Sequence, residues 1–195
     1  MGVTMQDPNL PVWPSKVVGA LVRINYAIAV ICGVVLLVTA VYVLAEILLR
    51  RFVGRGLGGT DEISGYVMAG VAAWGFSYAL VERAHVRIDV FTGLLPKAGR
   101  SFFDLLALLS INFVAVLVTY WGWRVVSTTL TRGSRSNTPL ETPMWIPQSI
   151  WLAGWAWLTI VSAILVLCLL TLMLARRWNE AQSVAGVASE VGEEK

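Results

Sequence analysis

Few side chains in this 195-residue sequence belong to types that do chemistry. The single histidine, His85, sits in the most concentrated ionisable stretch, Val81-Glu82-Arg83-Ala84-His85-Val86-Arg87-Ile88-Asp89-Val90. His85, Arg87 and Asp89 at two-residue spacing are residue types used in metal binding or proton transfer. One His with one Asp is nevertheless a poor metal site, and a solvated loop is the commoner origin of such a run. Glu46 is the only carboxylate within an apolar run. A carboxylate in a first membrane helix suits a small proton-driven exporter. Glu46, however, lies one turn from the end of its run and four residues before Arg50. That spacing and order favour a helical ion pair near the membrane interface.

Other motifs weaken on inspection. Gly54-Arg55-Gly56-Leu57-Gly58-Gly59 matches the dinucleotide pattern G-x-G-x-x-G, but that pattern needs a preceding strand in a βαβ unit. Here it falls between two apolar runs, where glycines make a flexible turn. Thr60 can then cap the following helix, with Asp61 and Glu62 placed well against its positive N-terminal dipole. Cys32 and Cys168 both lie inside apolar runs, which argues against a stabilising disulfide or a zinc site. One histidine cannot supply the paired axial ligands of a membrane cytochrome. No catalytic constellation, cofactor or metal is expected, and the chain does not read as an enzyme.

The elements that carry these residues follow from composition. Of all residues 57% are apolar and 14% charged, with a mean hydropathy of +0.72. Soluble domains run at about 45–50% apolar and about 25% charged. The surface of a globule this size could not hide so much apolar area, and disorder is excluded by the same figures. The net charge of +3 comes from short basic clusters between apolar runs, the pattern of membrane loops rather than of a nucleic-acid-binding face. Four apolar runs, at about residues 24–49, 63–81, 105–123 and 146–175, each reach the roughly 18–20 residues that cross a bilayer. Backbone groups in lipid must be satisfied within the segment, so helices follow. The expected fold is an all-α integral membrane protein with four transmembrane helices and short interfacial helical segments.

Residues 1–23 read as a cytoplasmic or interfacial segment, 24–175 as the four-helix membrane domain, and 176–195 as a disordered cytoplasmic tail. The first run is too long for the apolar core of a cleavable signal peptide. A helix from a Ser15 cap to Arg50 would reach roughly 54 Å, more than the hydrocarbon needs, so its start lies along or beyond the interface. Val90, Phe91, Leu94 and Leu95 can form one face of a short in-plane helix stopped by Pro96. Lys16, Arg23, Arg83, Arg87, Lys97, Arg100, Arg176, Arg177 and Lys195 fall on one side of the membrane. Arg50, Arg51, Arg55, Arg124, Arg132 and Arg135 fall on the other. Positive-inside then puts both termini in the cytoplasm.

No charged residue stands at mid-membrane depth; only Thr39, Asn112, Thr159 and a few serines interrupt the hydrocarbon character. A path for an ion or anionic solute needs polar groups or broken helices there, so the chain is not expected to move a hydrophilic solute alone. Gly65, Ala69, Ala73 and Ser77, four apart on the second helix, let another helix approach closely. That contact is either internal or with another subunit. Trp121 and Trp123 end the third helix and Trp145 and Trp151 begin the fourth, as a belt at one interface. Trp155 and Trp157 sit deeper, facing lipid or a partner.

Several of these features together resemble a known family. Arg51-Phe52, the Gly-rich turn, Thr60-Asp61-Glu62, an apolar helix containing Gly75, then Glu82, His85-Val86-Arg87-Ile88-Asp89 and Leu95-Pro96 resemble the small membrane (permease) subunit of tripartite ATP-independent periplasmic (TRAP) transporters. Thr138-Pro139-Leu140-Glu141-Thr142-Pro143-Met144-Trp145-Ile146-Pro147 is similar to that family's outer loop before the last helix. The likeness covers roughly residues 20–175. One departure is Gly59, where the family often has Trp. The resemblance implies a multi-pass protein of the bacterial inner membrane, paired with a large TRAP membrane subunit and working beside a periplasmic substrate-binding protein. It implies an auxiliary role in sodium-coupled uptake of organic acids, outside the substrate path. It marks Arg51, Asp61, Glu62, His85, Arg87 and Asp89 as signature residues. The Gly65/Ala69/Ala73/Ser77 face or the helix with Trp155 and Trp157 is then the expected partner surface. The rival readings are a self-sufficient four-helix proton-coupled exporter using Glu46, and a structural membrane subunit without a transport role.

Overall fold

A computed structural model describes residues 12–56, 58–82 and 96–178. Its four helices are α1 (Val12–Phe52), α2 (Thr60–Val81), α3 (Lys97–Arg132) and α4 (Trp145–Leu174). Each is long and apolar enough to cross a membrane, as backbone satisfaction in lipid requires. This is the all-α membrane fold expected. The Gly-rich segment joins two helices, with no strand before it among the described residues.

Packing is unequal. α2 packs against α1 and α4, α3 packs against α4, and α1 touches α4 only marginally. The order across the molecule is therefore α1, α2, α4, α3, with α4 as the shared neighbour. The core gathers Val18 and Leu21 at the start of α1, Leu80 and Val81 at the end of α2, Leu108 and Ala115 in the first half of α3, and Leu158 to Leu172 of α4. Helices that alternate in direction bring just those ends together. The core thus lies in the half of the molecule that holds the beginning of α1 and the end of α4.

Two boundaries differ from expectation. α1 begins at Val12, so Ser15 is inside the helix rather than its cap; Pro14 is tolerated because the first turn has no acceptor for its missing N–H. α3 does not stop at Trp123 but runs to Arg132. Its last turns are polar yet stay helical because hydroxyls satisfy themselves locally. Ser127 donates to the Arg124 carbonyl at 3.0 Å, Thr128 to the same oxygen at 2.8 Å and Thr131 to Ser127 at 3.1 Å. The helix ends where Gly133 turns left-handed (φ 60°). Ser134 N–H then reaches the Thr129 carbonyl at 3.2 Å and Gly133 N–H that of Leu130 at 3.3 Å, the paired closure of a Schellman motif.

Candidate functional site

The polar groups at mid-membrane depth are absorbed by the fold. Asn112 of α3 donates to Ser162 Oγ at 2.9 Å and to the Thr159 carbonyl at 3.2 Å, and Thr119 meets Thr159 hydroxyl to hydroxyl at 3.1 Å. Asn25, fully buried in α1, donates to the Leu21 carbonyl at 2.8 Å and accepts from Trp157 Nε1 at 3.1 Å. Trp74 of α2 donates to the Ile150 carbonyl at 3.1 Å. Thr39 bonds back to Val35 at 2.8 Å. All three neighbours of α4 are therefore tied to it by a hydrogen bond. Sequence reasoning noted Asn112 and Thr159 only as interruptions, because partners 47 residues apart leave no local periodicity.

The small-residue row divides in two. Ala73 and Ser77 are buried, whereas Gly65 and Ala69 are exposed. The reason is the crossing with α4: a methyl group at Gly154 would stand 2.9 Å from the Ala73 backbone carbonyl carbon and Cβ. Helices approach this closely only where side chains are minimal. Ala73 and Ser77 are thus spent on an internal contact. Trp155 belongs to the same seam, its ring 5.4 Å from Phe76 and 6.1 Å from Trp151, while Trp157 braces Asn25.

Glu46 is 3% exposed and pairs at 2.8 Å with Arg50, which is 71% exposed. The pair has the i, i+4 geometry that its spacing anticipates. The glycine turn folds over it: a Cβ on Gly56 would lie 2.3 Å from Glu46 Oε1. The carboxylate is thus covered at the end of its helix.

The second polar junction joins segments 76 residues apart. Glu62, in the first turn of α2 and immediately before its apolar span, accepts from Tyr66 Oη at 2.7 Å and from Thr138 Oγ1 of the α3–α4 loop. Ser136 lies 2.8 Å from Thr138, hydroxyl to hydroxyl. The bonds from Thr138 and Tyr66, helped by Thr142 and Ser136, hold the Glu62 carboxyl below the usual carboxylate range, since hydroxyl donors favour the charged form. The loop is itself a compact hairpin. Ser136 N–H reaches Thr142 O at 2.9 Å, Glu141 N–H reaches Thr138 O at 3.0 Å, and Met144 N–H reaches Ser134 O at 3.1 Å.

Thr60 does not cap α2. Gly59 takes the N-cap position with φ 71°, a conformation that costs glycine little. The Thr60 hydroxyl is buried with no hydrogen-bond partner among the described residues. Leu140 of the hairpin fills the space over Gly59, where a Cβ would come 2.2 Å from its Cδ1. Asp61 and Arg51 are exposed. His85, Arg87, Asp89 and the in-plane helix expected near Val90–Leu95 lie outside the described residues, as do most of the tail and the side chain of Trp13. Among the described residues no group of three or more His, Cys, Asp or Glu is placed to hold a metal ion.

Comparison with known proteins completes the picture. Residues 39–172 match the family model described as "Tripartite ATP-independent periplasmic transporters, DctQ component". A Haemophilus influenzae protein, whose name assigns it as a TRAP transporter small permease, is 26% identical over 100 residues. That stretch is 51% of this chain and 62% of that protein, so the chain spans less than two thirds of its relative's length. No solved structure matches the chain significantly.

Proposed function

The chain belongs to the DctQ-component family of tripartite ATP-independent periplasmic transporters, and from that premise we propose that it is the auxiliary membrane subunit of a sodium-coupled organic-acid importer. It pairs with the large transport subunit, serves a system fed by a periplasmic substrate-binding protein, and stays outside the substrate path. It resides in the bacterial inner membrane with both termini in the cytoplasm. One observation carries this reading above the others. Asn25, Asn112, Thr119, Thr159 and Ser162 are all hydrogen-bonded within the bundle, so among the described residues no polar track is left at mid-depth for a hydrophilic solute. A self-sufficient exporter gains no support from Glu46, which sits beside Arg50 under the glycine turn.

The pairing face is what the internal contacts leave uncovered: the long apolar surface of α1 and the Gly65/Ala69 half of the small row. From its sequence alone, the His85–Asp89 stretch is assigned a structural role rather than that of a proton relay. The test is an omission experiment in proteoliposomes under a sodium gradient. Organic-acid uptake is expected only when this chain, the large subunit and the binding protein are all present. Transport by this chain alone, abolished by Glu46→Gln, would establish the exporter instead.

A further inference from the structure

We propose that the groove along the last turns of α3 binds the headgroup of an anionic phospholipid, of which phosphatidylglycerol fits best. The groove is shallow and open, with about 440 Å³ of space, and is lined by Trp121, Arg124, Thr128, Thr129, Arg132 and Ser134. Positions 121, 124, 128 and 132 recur at three- and four-residue steps, so they form one helix face. The Arg124 guanidinium carbon lies 5.0 Å from the centroid of the Trp121 ring. That contact pre-orients a planar donor group suited to a phosphate.

Depth selects a lipid over a soluble anion. Tyr120, Trp121 and Trp123 are all exposed at the level where the uncharged run ends, the position of an interfacial aromatic belt. Arg124 follows directly, at phosphate level. Arg132 stands eight residues further, about 12 Å along the axis, within reach of the outer part of a headgroup. Charge points the same way. Among the described residues no carboxylate pairs with Arg124 or Arg132, in contrast to Arg50, which Glu46 neutralises.

The hydroxyl pattern narrows the headgroup. Thr128 Oγ1 donates its proton to the Arg124 carbonyl, so towards the groove it offers only acceptor lone pairs. A phosphate oxygen cannot use those, but a glycerol hydroxyl can. Arg124 for the phosphate and a threonine acceptor for a headgroup hydroxyl, with Arg132 adding positive charge further out, together match phosphatidylglycerol. An acidic protein segment would not need the Trp121–Arg124 end to lie at membrane depth.

The full chain in nanodiscs of phosphatidylcholine, with and without phosphatidylglycerol, provides the test, read by native mass spectrometry of retained lipid. Wild type is expected to retain phosphatidylglycerol in preference to phosphatidylcholine. That preference should fall on the order of fivefold for each arginine removed in Arg124→Gln and Arg132→Gln. Thr128→Val should reduce retention of phosphatidylglycerol but not of phosphatidic acid. Arg55→Gln, exposed outside the groove, should change nothing, and melting curves should show all variants folded. Equal retention by wild type and the double arginine variant would overturn the proposal. So would an equal loss in Arg55→Gln.

Discussion

α4 and α1 are both long apolar helices, yet they serve opposite ends. α4 carries ten buried residues, from Leu152 to Leu172, and receives a hydrogen bond from, or gives one to, every other helix. The most apolar stretch of α1 buries nothing. Val34, Val35, Leu36, Leu37 and Val38 are exposed in succession, which covers every direction around a helix. Only a narrow stripe including Ile28, Cys32, Thr39 and Val43 is half-buried, on the helix that packs against α2. Hydropathy does not separate the two, since lipid tails are as apolar as leucine and supply no drive between helices. Small residues and hydrogen bonds do. α4 has Gly154 at a crossing and Thr159 and Ser162 as partners; α1 uses Asn25 near its start towards Trp157, while Glu46 near its end pairs with Arg50 of the same helix.

The sharpest way to break this contrast is to place one bulky side chain on each helix. Gly154→Leu forces its side chain into the Ala73 backbone and should cost about 1–3 kcal/mol or more, read as a lower melting temperature and folded yield in detergent. Gly33→Leu on α1 meets nothing within 4 Å and should leave the melting of the isolated chain unchanged. Next in size is Asn112→Leu, which removes the α3–α4 brace. A loss of about 0.6–1.7 kcal/mol is expected, and double-mutant cycles with Ser162→Ala would assign it to the pair.

The loop junction should respond to acid rather than to bulk. Because Glu62 has a folded-state carboxyl value below its unfolded one, its contribution is complete above the ordinary glutamate range. It is lost as pH falls through the lower, folded value. Limited proteolysis of the hairpin should therefore accelerate only as pH falls below the ordinary glutamate range, whereas Glu62→Gln should accelerate it at neutral pH. The smallest effect is expected from Thr60→Val. Removing a buried hydroxyl that has no partner while keeping its shape should be neutral or slightly stabilising, and a melting point lowered by several degrees would show that the hydroxyl is in use.

What could be read from residue order alone was whatever acts within a turn or two. The four spans followed from run length, the Glu46–Arg50 pair from four-residue spacing, and the turn at Gly54–Gly59 from glycine. The polar last turns of α3 were missed because hydropathy marks lipid, not helix, and Ser127, Thr128 and Thr131 continue the helix into water by bonding to their own carbonyls. The docking of Thr138 on Glu62 was missed for another reason: each residue looked like local loop chemistry until the fold joined them. The Gly65/Ala69/Ala73/Ser77 row was visible as a close-packing surface. Its split was not, because only the position of Gly154 decides which half is occupied.

The division of labour between the two helices is tested most directly by co-purification. The large subunit would be captured through a tag on wild type, on Gly33→Leu and on Ala69→Leu, with each chain's melting recorded in parallel. Chains that melt like wild type but recover markedly less large subunit are the predicted result. Undiminished recovery with both variants would contradict the account, because it would mean that the uncovered faces of α1 and α2 meet only lipid.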